Sequence, residues 1–315
     1  MPLLEVRDLV TGFGSNQVLN GIDLDVEPGT VAVLLGLNGA GKSVTLKAVS
    51  GLQPTWSGSI RFKDREVSGL EAEDRIRAGL GHVLQSKAVF AQLTVLENLR
   101  LGAACVKDKA VVAATRQRVL DIYPRLHQRS GQLAGSLSGG EQAMLAVARA
   151  LMTGPELLLV DEPSAGLSPI MVEGLGETLR QVAAAGTTLL MVEQNVGFGL
   201  ELADEVHVLE RGRVVYRNRG EALDMAKVSE LLGIGDLLAP PPEPVRPRRA
   251  SGPRQAAAKK ATVKKAATTK KATVKKSAAT NRASTHQAAT KTATAKTATV
   301  KRATAKRAPA NGATG

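Results

Sequence analysis

The sequence predicts an α/β fold over residues 1–238, and three observations predict it. Short apolar runs rich in β-branched residues alternate with stretches of helical periodicity, the pattern of strand–helix units. One of these runs feeds directly into a glycine-rich loop. Another ends on two adjacent carboxylates, at the strand end where α/β folds hold their ligands.

The elements follow in order. VAVLL (31–35) comes after the turn Glu27-Pro28-Gly29 and reads as a buried strand. Residues 41–49 then have helical spacing, with Gly51 placed to cap the end. From Thr94 to Leu151 the apolar spacing is mostly helical, interrupted at Pro124, which predicts a helical insertion between strands of the core. Buried strands are predicted at 157–160 and at TTLLMV (187–192), the second after the Ala185-Gly186 break. EVHVLERGRVVY (205–216) predicts a hairpin turning at Arg211-Gly212.

At Pro240 the composition changes. PPPEPVRPRR cannot join a helix or a sheet. Beyond it the chain is Ala, Thr and Lys with almost no large apolar side chains, too polar to offset the entropy of ordering. Residues 239–315 are therefore expected to be a disordered basic tail. The net charge of +13 and the pI near 10 belong to that tail: from Pro240 onward 19 Lys and Arg face only Glu243, whereas residues 1–239 carry 23 basic and 28 acidic residues, a net −5. The globular part shows no basic footprint for nucleic acid. One Trp, two Tyr and four Phe leave little surface for stacking bases. Cys105 is the single cysteine, so no disulfide forms within the chain, which fits a reducing compartment. The N-terminal MPLLEVRDLV has acidic residues among its apolar ones and does not read as a secretory signal. No apolar run approaches the length of a membrane span.

Three motifs carry chemistry. GLNGAGKS (36–43) fits G-x-x-x-x-G-K-[ST] between a predicted strand and a predicted helix. Its glycines let backbone N–H groups turn inward around phosphate oxygens, and the helix N-terminus adds positive potential. The residues expected to bind nucleotide here are Gly36, Leu37, Asn38, Gly39, Ala40, Gly41, Lys42, Ser43 and Val44. Lys42 would reach the β- and γ-phosphates, and the Ser43 hydroxyl would ligate Mg²⁺. LLLVDEP (157–163) places Asp161 to hold Mg²⁺, directly or through water, and Glu162 to polarise an attacking water. LSGGE (137–141) puts Ser138 as N-cap of an amphipathic helix, EQAMLAVARAL.

With these three motifs in this order, the chain resembles the ATP-binding cassette (ABC) ATPase family over about residues 3–235. The resemblance implies a P-loop NTPase cassette: a RecA-like core, an antiparallel β subdomain and a helical subdomain over about 90–150. It implies ATP and Mg²⁺ as ligands. It implies that two cassettes, this chain with itself or with a homologous ATPase subunit, face head to tail. Each ATP then lies between the P-loop of one and the LSGGE of the other, so that Ser138, Gly139 and Gly140 complete the partner's site. Phe13 matches the aromatic residue that stacks on adenine. Gln85 matches the glutamine that touches Mg²⁺ and the attacking water, on a loop leading into the subdomain that contacts membrane subunits. SAGLS (164–168) matches the loop that crosses the dimer interface.

The sequence departs from the family pattern at two places. Val44 stands where a hydroxyl is frequent, and Gln194, in VEQN, stands where most members carry a histidine against the γ-phosphate. The amide of Gln194 still donates a hydrogen bond to phosphate or water. The Gln194 substitution, with YPRLHQR (123–129), MLAVARALM (144–152) and DEPSAGLSP (161–169), is similar to the second ATP-binding subunit of branched-chain amino acid importers and their relatives for urea and short amides. Gln85 departs from that branch, where an acidic residue is frequent. The branch implies two transmembrane permease subunits, an extracytoplasmic solute-binding protein and a place on the cytoplasmic face of the cell membrane. The other reading is a soluble ABC ATPase in a nucleic-acid or translation context. The basic tail is read as a solvated extension, with attraction to the anionic membrane surface or contact with RNA or DNA as the alternatives.

Overall fold

The computed structural model describes residues 1–85, 89–219 and 224–233. The tail expected over 239–315 lies outside the described residues.

Two sheets organise these residues. The chain opens with β1 (Leu4–Phe13) and β2 (Asn16–Val26), passes through β3 (Val31–Gly36) and α1 (Lys42–Val49), and returns in β4 (Ser57–Phe62) and the short β5 (Arg65–Glu66). Then come α2 (Ala72–Ala78), β6 (Leu80–Val83), α3 (Val95–Gly102), α4 (Lys109–Ile122), α5 (Pro124–Gln128) and α6 (Gly139–Leu151). The chain continues through β7 (Leu157–Asp161), α7 (Pro169–Ala184), β8 (Thr188–Glu193), α8 (Val196–Leu202), β9 (Glu205–Glu210), β10 (Arg213–Arg219) and α9 (Met225–Leu232). An antiparallel sheet runs β2-β1-β4-β5, and a six-stranded sheet runs β10-β9-β3-β8-β7-β6. In the second, every pairing from β9 to β6 is parallel and only β9–β10 is antiparallel. None of the described helices is long and apolar enough to cross a membrane.

The central strands are apolar on both faces because both faces are covered. Ala32, Leu34, Leu157, Leu159, Leu190 and Val192 point toward the antiparallel sheet and α1. Val31, Val33, Leu35, Leu158, Val160, Leu189 and Met191 point toward the helices on the other side. The alternation has period two, so a slip of one residue in any strand would exchange the two cores.

Local chemistry explains the boundaries. The hairpin of β9 and β10 turns at Arg211-Gly212, as predicted, with φ of 45° and 74°, the two left-handed residues of a type I′ turn. Its turn also reaches the glycine-rich loop: Gly212 N–H donates to Ala40 O at 2.9 Å, while Asn20 N–H donates to Gly212 O at 2.8 Å. Pro124 is the first residue of α5, where its missing N–H costs nothing. Both α3 and α6 start with a capping box, Thr94 with Glu97 and Ser138 with Glu141.

Buried Arg75, only 2% exposed, holds the far end of α1. Its guanidinium donates to Ala48 O and Val49 O at 2.7 and 2.9 Å, and to Leu70 O and Ser68 O at 2.9 and 2.8 Å. Burial lowers its pKa, and the partial negative charge of the helix C-terminus offsets part of that cost.

Candidate functional site

The glycine-rich loop forms between β3 and α1, and two glycines are required there. A Cβ on Gly36 would lie 2.6 Å from Leu209 O on the neighbouring strand β9. Gly41 has φ +109°, and a Cβ there would lie 2.6 Å from Leu19 Cδ2. Gly41 is also the N-cap of α1 and offers no side chain to the helix. The N–H groups of the first helical turn have no intrahelical acceptors, so this end of α1 suits an anion.

The side chains predicted for chemistry converge on that loop. The Lys42 ammonium, 4% exposed, donates to Gly36 O at 2.9 Å and Leu37 O at 3.2 Å, and lies 3.4 Å from Glu162 Oε1. Ser43 Oγ donates to Asp161 Oδ1 at 2.7 Å. Gln85 Nε2 donates to Glu162 Oε2 at 2.6 Å. Thus β3–α1, β6 and β7 each deliver a residue to one spot. Phe13, at the end of β1, is 52% exposed and sits outside both cores. With Val18, Asn38, Gly39, Gly41, Lys42, Ser43, Val44, Gln85 and Glu162 it lines an open cavity of about 380 Å³.

Two features at the end of β7 are electrostatically or conformationally strained. Asp161 is 1% exposed, and its Oδ2 is buried without a hydrogen-bond partner. Burial raises its pKa, the Ser43 hydrogen bond opposes that, and the neighbouring Glu162 raises it further. A buried carboxylate oxygen with a free lone pair beside a serine hydroxyl fits an Mg²⁺ ligand. Among the described residues no cluster of three or more His, Cys, Asp or Glu exists to hold a metal, so further oxygens would have to come from phosphate and water. Glu162 has φ +44°, a conformation that a non-glycine residue keeps only when its surroundings enforce it.

Other predicted residues do not join this cavity. Gln194 follows β8 beside both motifs, but its side chain is exposed and does not line that cavity. Its backbone N–H donates to Glu193 Oε2. Ser138 caps α6, its Oγ accepting from Glu141 N–H at 3.3 Å. Ser138 and Gly140 line a separate groove with Met144, Ile170, Met171 and Thr178, and Gly139 begins α6 between them. Within one chain, the LSGGE segment and the P-loop cavity share no lining residue.

Sequence reasoning missed Glu193. It closes β8 as a buried carboxylate, 1% exposed. The signal was present: TTLLMVE is an apolar run ending on an acid, as LLLVD is.

The family model described as "ABC transporter" matches residues 19–165. The high-affinity branched-chain amino acid transport ATP-binding protein BraG of Pseudomonas aeruginosa is 42% identical over 221 residues, covering 70% of this chain and 94% of the relative. The probable branched-chain amino acid transport ATP-binding protein LivF of Archaeoglobus fulgidus is 35% identical, covering 74% and 100%. Among solved structures, the ADP conformation of MJ1267, an ATP-binding cassette of an ABC transporter, superposes with a TM-score of 0.66 at 26% identity, covering 73% of this chain and 98% of that one.

The burial of Asp161 makes a stability prediction. Its folded-state pKa is raised, so the folded chain loses stability as pH rises through the group's titration. Asp161→Asn removes the buried charge and keeps an oxygen for Ser43. At pH 7 the variant should unfold about 2–4 °C higher than wild type without nucleotide, corresponding to about 1 kcal/mol. The difference should fade in acid, where wild-type Asp161 is itself neutral. Thermal unfolding across pH measures this, and an equal or lower midpoint at pH 7 would contradict it.

Proposed function

Because the chain belongs to the ATP-binding cassette family of ABC transporters, we propose that it is the ATP-hydrolysing subunit of an importer for branched-chain amino acids or a related small solute such as urea or a short amide. The observation that supports this most is the convergence of Lys42, Ser43, Gln85 and Glu162 on one cavity beside a helix N-terminus, with Asp161 hydrogen-bonded to Ser43 behind it. Identity of 42% to a branched-chain amino acid transport ATP-binding protein supports the solute class. The relatives compared above are transport proteins, which favours the importer over a soluble ATPase acting on nucleic acid.

The reaction is ATP plus water to ADP plus phosphate. Adenine stacks on the exposed ring of Phe13. The N–H groups of residues 36–44 and the α1 N-terminus surround the phosphates. Lys42 exchanges its carbonyl and Glu162 contacts for β- and γ-phosphate oxygens. Ser43 and Asp161, with Gln85 beside them, would hold Mg²⁺, which supplies neutralisation of phosphate charge. Glu162 accepts a hydrogen bond from the attacking water and orients it, a role worth roughly 10²–10⁴-fold. Gln194 donates its amide to phosphate or water. The backbone and Ser138 side chain at the α6 N-terminus of a facing cassette complete the γ-phosphate site, because this chain's own Ser138 lies on a different groove. Closure around two nucleotides draws the helical subdomains together, and the attached permease pair changes its access. The cassette accordingly works at the cytoplasmic face of the membrane, with a solute-binding protein across it. The Lys-rich tail, about +18, would be drawn to the anionic inner leaflet.

Two experiments test this reading. Glu162→Gln should leave an ATP-bound dimer with turnover reduced at least a hundredfold; turnover near wild type would remove Glu162 from the mechanism. Purification of the native complex from membranes should recover two hydrophobic permease chains with the cassette. Recovery of ribosomes or nucleic acid without permeases would overturn the importer.

A further inference from the structure

Among the buried groups that the hydrolytic reading leaves unused is the Glu193 carboxylate. Its two oxygens accept three backbone N–H donors from two loops. Oε1 takes Ser164 N–H at 2.9 Å, and Oε2 takes Gln194 N–H at 3.0 Å and Asn195 N–H at 3.1 Å. Ser164 stands two residues past Glu162, on the loop that leaves β7. Gln194 and Asn195 open the loop that leaves β8, and Asn195 then caps α8 through Phe198 N–H.

The strained turn at Glu162 lies between two attachments to β8. Glu162 N–H donates to Val192 O at 3.0 Å, and Ser164 N–H donates to the next residue's side chain. The left-handed φ of 44° at Glu162 persists because both sides of it are fixed. One side of that bracket is backbone, and the other is Glu193. The same carboxylate sets the direction in which residue 194 leaves the strand.

We propose that Glu193 is a positioning residue for ATP hydrolysis: its buried carboxylate locks the loop that orients Glu162 to the loop that presents Gln194, so that both face the γ-phosphate together. The inference rests on the ATPase reading above. It assigns no contact between Glu193 and nucleotide, and it predicts a loss in the chemical step with binding kept.

Chemistry selects the test. A glutamine has the same shape but only one acceptor oxygen. It keeps the Ser164 bond or the pair from residues 194 and 195, and turns an NH₂ group toward the other set. In the full chain, assembled with its membrane partners, Glu193→Gln should lower kcat at least tenfold while affinity for a fluorescent ATP analogue stays within twofold. Adding Gln194→Ala should cost less in the Glu193→Gln background than in wild type, because the two act through one arrangement. If Glu193→Gln does not fold, Glu193→Asp, which keeps both oxygens on a shorter arm, takes the same readouts with an expected loss of threefold or more in kcat. A kcat within twofold of wild type, or kcat and affinity falling in parallel with the unfolding midpoint, would overturn the proposal. Wild-type turnover is measured alongside: its absence would overturn the ATPase reading as well, whereas normal wild-type turnover with an unaffected variant would overturn this inference alone.

Discussion

The parallel register of β3, β8 and β7 is the constraint on which the site depends. Leu35 lies opposite Glu193, and Asp161 opposite Val192. The three strands therefore end at nearly one level, and each hands the chain to a loop at the same edge. The glycine-rich loop, the Asp161-Glu162 pair and Glu193 with Gln194 emerge side by side. The register is itself fixed by two buried faces with alternating side chains. A slip of one residue would exchange the two cores and shift the carboxylates along the sheet edge. Packing, a non-directional force, thus sets the position of charged groups to within a hydrogen bond.

Those charged groups are costly to keep, and the fold keeps them at the one edge where a ligand would repay the cost. Asp161 holds an oxygen out of water with no donor. Lys42 is nearly buried, with two loop carbonyls and one carboxylate for company. Glu162 holds a backbone conformation that is rare for its residue type. Each of these is poorly matched in the protein alone and well matched to a metal-bound polyphosphate. By contrast, the buried Arg75 has four carbonyl acceptors and ties the end of α1 to residues 68 and 70.

Much of this was legible in the sequence where local chemistry decides structure. VAVLL, LLLVD and TTLLMV are buried strands because they are apolar on both faces. Arg211-Gly212 turns a hairpin because its conformation demands it, and Ser138 caps α6 with Glu141 three residues on. Lys42 and Ser43 lie against Glu162 and Asp161, and Phe13 stands exposed at the cavity and not in a core. What could not be read was pairing at long range. The contact of Gln85 with Glu162 spans 77 residues, that of Ser43 with Asp161 spans 118, and no local pattern announces either. Glu193 could have been read as the acid that ends TTLLMVE, but not its partners, which are backbone N–H groups without a sequence signature.

The shared hydrolytic site proposed for two facing cassettes rests on the separation of the P-loop cavity from the LSGGE groove, which have no lining residue in common. Ser138→Arg tests it most directly. The isolated variant should bind ATP within twofold of wild type, because Ser138 lies outside its own nucleotide cavity. The assembled complex carrying it should lose most of its turnover at the facing site, well beyond what the loss of an N-cap, about 1 kcal/mol, would produce. Full turnover in the assembled variant, or loss of ATP binding in the isolated one, would contradict the shared site.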